Sequence, residues 1–159
     1  MSWTRSYGIK NLAGLVIKGD GIGKTKLIVD NDDGAIILDD RFSDTQFQVK
    51  DLSIIAARPS AGTAISVGKP ENHTGDLFRR GFMGENIEIK GMDEGDYFVE
   101  GVNVSSIFRP LYRNISFTGA EDNQKIYGST VGIATDLCYS PEVERCSVQF
   151  AETGFRFVS

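Results

Sequence analysis

Cysteine is nearly absent from this 159-residue chain. Cys138 and Cys146 are its only two, without C-x-x-C spacing and without a histidine cluster nearby. That scarcity excludes a disulfide framework and a cysteine-type zinc site. The single histidine, His73, stands in P-E-N-H-T-G with no serine or cysteine motif around it, so it reads as a loop residue and not as a general base. Basic side chains are outnumbered, 17 Lys and Arg against 22 Asp and Glu, for a net charge of −5. That balance argues against a nucleic acid or an anionic membrane as partner, since both reward an excess of Lys and Arg. No apolar run approaches the roughly 20 residues of a membrane span. The opening M-S-W-T-R-S-Y-G lacks the apolar core of a secretory signal. What remains is 40% hydrophobic and 25% charged, which suits one folded domain over residues 1–159.

Glycine, in contrast, is plentiful, and one cluster invites a nucleotide. V-I-K-G-D-G-I-G-K-T-K-L (16–27) ends its glycines with Lys24 and Thr25, as a phosphate-binding loop does. The spacing fails. G-x-x-x-x-G-K-[ST] requires glycine five residues before Gly23, where Lys18 stands, and G-x-G-x-G is not the dinucleotide pattern. The context fails as well, because K-T-K-L-I-V-D-N-D-D-G reads as a strand where a phosphate loop opens a helix. The glycines are therefore expected to make tight turns between two short strands, and no nucleotide or other cofactor is expected.

Short runs of alternating polarity fill the rest of the chain, and several repeat one another. K-D-L-S-I-I-A (50–56), E-N-I-E-I-K-G (85–91) and R-N-I-S-F-T-G (113–119) share a charged residue, then Asp or Asn, then apolar–polar–apolar. E-R-C-S-V-Q-F-A (144–151) is a fourth copy and G-L-V-I-K-G (14–19) a weaker fifth. A loose period of about 30 residues with one strand motif per copy signals stacked repeats. Further strand-like runs lie between them at 27–29, 35–38, 64–67, 97–104 and 131–135. Two or three short strands per turn specify an all-β, right-handed, single-stranded parallel β-helix of about five rungs. Like residues then stack on like across strands roughly 4.8 Å apart. Leu15, Leu52, Ile87, Ile115 and Cys146 form one expected inward row; Ile17, Ile54, Ile89, Phe117 and Val148 form a second. Asp51, Asn86 and Asn114 form an expected column at a bend, where Asx residues tolerate left-handed backbone. Arg145 breaks that column, so it either ends the ladder or marks a slipped register. Gly19, Gly91 and Gly119 are expected at corners, and Cys146 is expected as a small core residue.

The apolar strand, G-x-G and Thr–x–Leu of residues 14–27, the N-I-x-I/F-x-G runs and V-E-R-C-S-V-Q-F-A-E-T-G-F together resemble the pectin-lyase-like superfamily, in its phage tailspike branch. The resemblance spans nearly the whole chain, and its motifs specify a fold rather than an activity. It implies a bacterial surface polysaccharide as partner, a homotrimer, and a place on the virion tail or outside the cell. It implies possible depolymerase activity of glycoside hydrolase or lyase type. A non-catalytic structural or receptor-binding module, and a calcium-dependent pectate-lyase-like enzyme, are the alternatives. With no recognisable cap at either end, the chain is expected to be a fragment of a longer tailspike-like protein.

Glycoside hydrolysis needs two carboxylates a few ångströms apart. Glu88 is the only acid in the expected outward row Ser53, Glu88, Ser116 and Ser147, and M-D-E-G-D-Y follows it. Glu88 with Asp93 or Asp96 is the expected catalytic pair, and a solvated acidic turn is the competing reading. Tyr97 and Tyr112 are expected to stack on sugar rings, as Phe98 and Tyr127 would if they face outward. D-N-D-D-G (30–34) with Asp39 and Asp40 has acids suited to Ca²⁺ but not the spacing of a calcium loop, so it is expected as a turn without metal.

Overall fold

The computed structural model describes residues 14–38, 46–68, 81–120 and 128–158. His73, Asp39, Asp40 and Tyr127 lie outside them. The described chain contains twelve strands and no helix. They are β1 (Leu15–Lys18), β2 (Lys26–Val29), β3 (Gly34–Leu38), β4 (Gln46–Ala56), β5 (Thr63–Val67) and β6 (Gly81–Gly91), followed by β7 (Glu100–Ser105), β8 (Leu111–Thr118), β9 (Val131–Asp136), β10 (Glu142–Glu144), β11 (Ser147–Gln149) and β12 (Thr153–Val158).

Every pairing is parallel, and the strands alternate between two sheets. Sheet A runs β1-β4-β6-β8-β10, with β2 also on β4 and β11 also on β8; sheet B runs β12-β9-β7-β5-β3. Each level contributes to sheet A, turns a corner, and contributes to sheet B before the chain climbs to the next level. The result is a parallel β-solenoid whose five levels make about four turns, as the repeat spacing led one to expect.

Side-chain alternation explains why it holds together. Odd-facing positions of both sheets point into the coil and meet their own kind from neighbouring levels. Leu27, Ile54, Ile89, Phe117 and Val148 form one continuous inward column, and Ile36, Ile65, Val102, Ile133 and Phe155 form its counterpart in sheet B. Ile54, Ile65, Ile89 and Ile133 are completely buried. Burial of one such side chain contributes about 1.5–3 kcal/mol, so the columns are the principal source of stability.

The first level corrects the expected register. Leu15 and Ile17 pair with Phe47 and Val49, not with Leu52 and Ile54; Leu27 takes the place beside Ile54. The physical reason is the glycine cluster. Residues 19–25 are a loop inserted into the sheet A strand, interposed where the second level has only Asp51 and Leu52 between Lys50 and Ser53. The motif that resembles its counterparts on the upper levels is K-L-I-V, and the loop displaces G-L-V-I-K-G upstream of it. Gly21 (φ 131°) and Gly23 (φ 77°) take backbone angles that side chains disfavour, which accounts for two of the three glycines as turn formers.

The Asx column stands as expected, and its backbone bend goes one level further. Asp51, Asn86 and Asn114 hold φ of 59°, 52° and 51°, and Arg145 holds 53°. Arg145 keeps the backbone bend but ends the side-chain ladder, which stops at Asn114, and the register does not slip: Glu144 still pairs with Arg113, and Ser147 with Ser116. One left-handed residue per level bends the strand, so that alternation restarts with the next side chain pointing inward. The corners work differently from expectation. Gly91 has no positive φ; a Cβ there would collide with the Asp96 carbonyl oxygen, so glycine is needed for close approach of the chain.

Candidate functional site

The bend fixes what faces outward on sheet A. Past it, Lys26, Ser53, Glu88, Ser116 and Ser147 stand in register on the outer face. Glu88 is held at both oxygens. Ser53 Oγ donates to Oε2 at 2.9 Å, and Lys90 Nζ forms an ion pair with Oε1 at 2.9 Å. The Gly23 N–H in turn donates to Ser53 Oγ at 2.9 Å, so the inserted loop is tied to Glu88 through one hydroxyl. Burial raises the Glu88 pKa, but the hydrogen bonds from Lys90 and Ser53 and the charges of Lys90 and Lys26 outweigh it, leaving it below the ordinary carboxylate value. Glu88 is therefore ionised at neutral pH. An ionised, paired carboxylate suits a hydrogen-bond acceptor or a base, not a general acid.

Where β6 turns the corner, a groove of about 530 Å³ opens, lined by Lys90, residues 91–96, Thr118 and Gly119. Asp93 and Asp96 both line it, at the two ends of a turn in which the Asp96 N–H donates to the Asp93 backbone carbonyl oxygen at 3.1 Å. Glu88 is not part of the lining; its ion-pair partner Lys90 is, and joins the strand face to the groove. The three acids thus lie along one path from sheet face to corner.

The two tyrosines part company. Tyr97 is half-buried beside the corner, its hydroxyl 2.9 Å from Ser60 Oγ. Tyr112 is fully buried and packs on Phe82 with ring centroids 5.8 Å apart. Its expected role in stacking on sugar is corrected: the left-handed Asn114 comes two residues later, and before that bend the alternation points Tyr112 inward. Burial also raises its pKa far above the ordinary tyrosine value. Phe98, 0% exposed, is likewise a core residue. Cys146 is half-buried against the core, and burial raises its thiol pKa.

The loop 19–25 is not built to cradle phosphate. The amides of Gly19 and Gly21 donate to Lys50 and Asp51 carbonyls, those of Lys24 and Thr25 to the Gly21 carbonyl, those of Asp20 and Gly23 to the Thr25 and Ser53 hydroxyls. The acids of 30–33 make a turn. Asn31 Oδ1 accepts from the Asp33 and Gly34 amides, and Asp32 pairs with Arg58 at 2.9 Å. Among the described residues no group of three or more His, Cys, Asp or Glu is placed to hold a metal ion.

One surface feature escaped the sequence reading. Phe108 and Tyr139 lie on successive levels, joined by a parallel bridge, with rings 5.2 Å apart and 8° from coplanar. Arg109 next to it pairs with Glu142 at 2.6 Å. The signal was present: I-F-R-P and C-Y-S-P (107–110, 138–141) repeat an aromatic–x–Pro turn, with positive φ at Arg109 and Ser140 alike.

Fold and face together define a parallel β-solenoid with a polar, ladder-built outer sheet and an acidic corner groove. No family model, curated protein or solved structure matches the chain.

Proposed function

We propose that this solenoid binds a bacterial surface polysaccharide along the outer face of sheet A and into the corner groove. The observation that carries the reading is the run Glu88, Lys90, Asp93 and Asp96, with Glu88 held from beneath by the buried Ser53, which leads paired donors and acceptors into the groove. An extended, repetitive ligand matches a surface whose polar groups recur at every level, and sugar hydroxyls satisfy carboxylates that act as acceptors. The ionised Glu88 suits an acceptor of sugar hydroxyls or a base, and not the protonated acid that hydrolysis also requires at the leaving oxygen.

In this reading the chain is a tailspike-like module of a phage virion, working outside the cell as a homotrimer. Ile37 on β3 and Val158 on β12, 58% and 48% exposed, leave apolar side chains at the two edges of the outer face of sheet B, away from the sugar face. Light scattering is expected to give a trimer mass, and a monomer at all concentrations contradicts that part of the reading.

The test of function is a display of purified capsular and O-antigen polysaccharides, probed with labelled protein and assayed for released reducing ends. Retention of at least one polysaccharide without release is expected, and weaker retention by the Asp93→Asn/Asp96→Asn variant. Release that disappears in Glu88→Gln establishes cleavage instead. Retention of none contradicts the proposal.

A further inference from the structure

Lys18 stands directly across from Lys50 in the parallel register of β1 and β4, both on the outer side of sheet A. Like charges opposite one another on adjacent strands repel. Lys26 lies on the far side of the inserted loop, beside Ser53, and Lys24 lies on the loop itself. Lys18, Lys24 and Lys26 are exposed and Lys50 is half-buried.

Among the described residues none of these four sits in an ion pair, although the charge of Lys26 reaches Glu88; Arg145, by itself at the far end of the solenoid, is the one other described cation without an ion pair. Arg58, Lys90, Arg109, Arg113 and Arg156 all sit in ion pairs. Lys50 even has Glu85 as its register partner, yet Glu85 Oε1 goes to Arg113 at 3.4 Å, and Arg113 also holds Glu144 at 2.7 Å. Asp51 accepts from Asn86, which leaves Asp20 as the loop's own acid against four amines. The overall charge of −5 hides this local excess.

We propose that these four lysines bind the carboxylates of an acidic polysaccharide, so that the sugar chain gripped by sheet A carries uronic-acid units. The inference rests on the polysaccharide reading above and adds its charge class. A single compact anion is poorly served here, because the loop amides that would converge on it are already engaged. Amines spread over two levels and a loop suit charges spaced along a polymer. Lysine, a compact charge on a flexible stem, reaches such charges without fixed geometry. Several weak contacts on one chain then act together as high effective concentration.

The test displays each bacterial polysaccharide in two forms, native and with its carboxyl groups reduced to alcohols by carbodiimide and borohydride. Three proteins are compared: the native chain, Lys18→Gln/Lys50→Gln, and Arg109→Gln/Arg145→Gln. The last loses the same charge at the far end of the solenoid. Native protein is expected to retain acidic polysaccharides, to lose them on carboxyl reduction, and to release them at high salt. Affinity is expected to fall about tenfold or more in the lysine double variant, the size of one lost charged hydrogen bond, and to stay within about twofold in the arginine control. Retention that survives carboxyl reduction, or that is equal in the lysine variant, overturns the inference and leaves the polysaccharide reading standing. Retention of no native polysaccharide overturns both. Circular dichroism of each variant checks that the fold is kept.

Discussion

Asn86 donates its side-chain amide to Asp51 Oδ1 at 2.9 Å while both residues hold left-handed backbone angles, 52° and 59°. Asn114 repeats the contact one level on, donating to Asn86 Oδ1 at 2.8 Å. This ladder makes the bend that puts Glu88 on the outer face, so backbone strain and site geometry share one cause. Asn86→Ala loses two ladder hydrogen bonds and must hold a backbone angle alanine resists, a combined cost of about 2–4 kcal/mol. Asn86→Gly keeps the angle and loses only the bonds, so urea denaturation is expected to rank it between native and Ala. Equal stability of all three contradicts the ladder.

The interior columns predict a contrast between two isoleucines. Ile89→Ala opens a cavity between Ile54 and Phe117 and is expected to cost about 2–5 kcal/mol. Ile28, on the outer face and 60% exposed, is expected to tolerate threonine within about 0.5 kcal/mol. Thermal melts separate the two, and a large loss from Ile28→Thr indicates that its outward face is covered.

Corner geometry predicts intolerance at Gly91. Alanine there drives its Cβ into the Asp96 backbone, which reshapes the groove as well as the corner. Gly91→Ala is expected to destabilise by about 1–3 kcal/mol and to weaken polysaccharide retention more than Gly154→Ala, whose added Cβ meets only Val148 at 3.8 Å and needs no left-handed backbone.

Glu88 predicts a pH dependence with a defined sign. Its folded pKa lies below the ordinary carboxylate value, so the folded state favours the charged form. The stability this contributes is present above the ordinary value and is lost as pH falls through the lowered folded one. The native protein is thus expected to exceed Glu88→Gln by about 1 kcal/mol at neutral pH, with the gap closing in acid. Denaturation midpoints of the two proteins across that range check it; a gap that widens in acid reverses the sign and contradicts the ion pair.

How far sequence reached depended on what repeats. Ile54, Ile89, Phe117 and Val148 aligned correctly because identical alternation on successive levels leaves one register that buries every apolar side chain. Asp51, Asn86 and Asn114 were legible because few residue types take left-handed angles readily, and Arg145 hid the continued bend for the same reason: only its neighbours hold it there. The first level was misread because an insertion carries no periodicity of its own, so G-L-V-I-K-G matched by composition alone. Tyr112 was misplaced by its distance from the bend, a matter of one position in a period of two. The unpaired lysines were invisible in sequence, since only register shows that Glu85 turns away from Lys50 toward Arg113.

The central claim, that sugar lies along the outer face of sheet A and into the corner groove, is tested most directly by amide hydrogen exchange with and without a retained polysaccharide. The account predicts slowed exchange in residues 18–26 and 88–96, with sheet B unchanged. Protection confined to β7, β9 and β12, or none in sheet A, contradicts it.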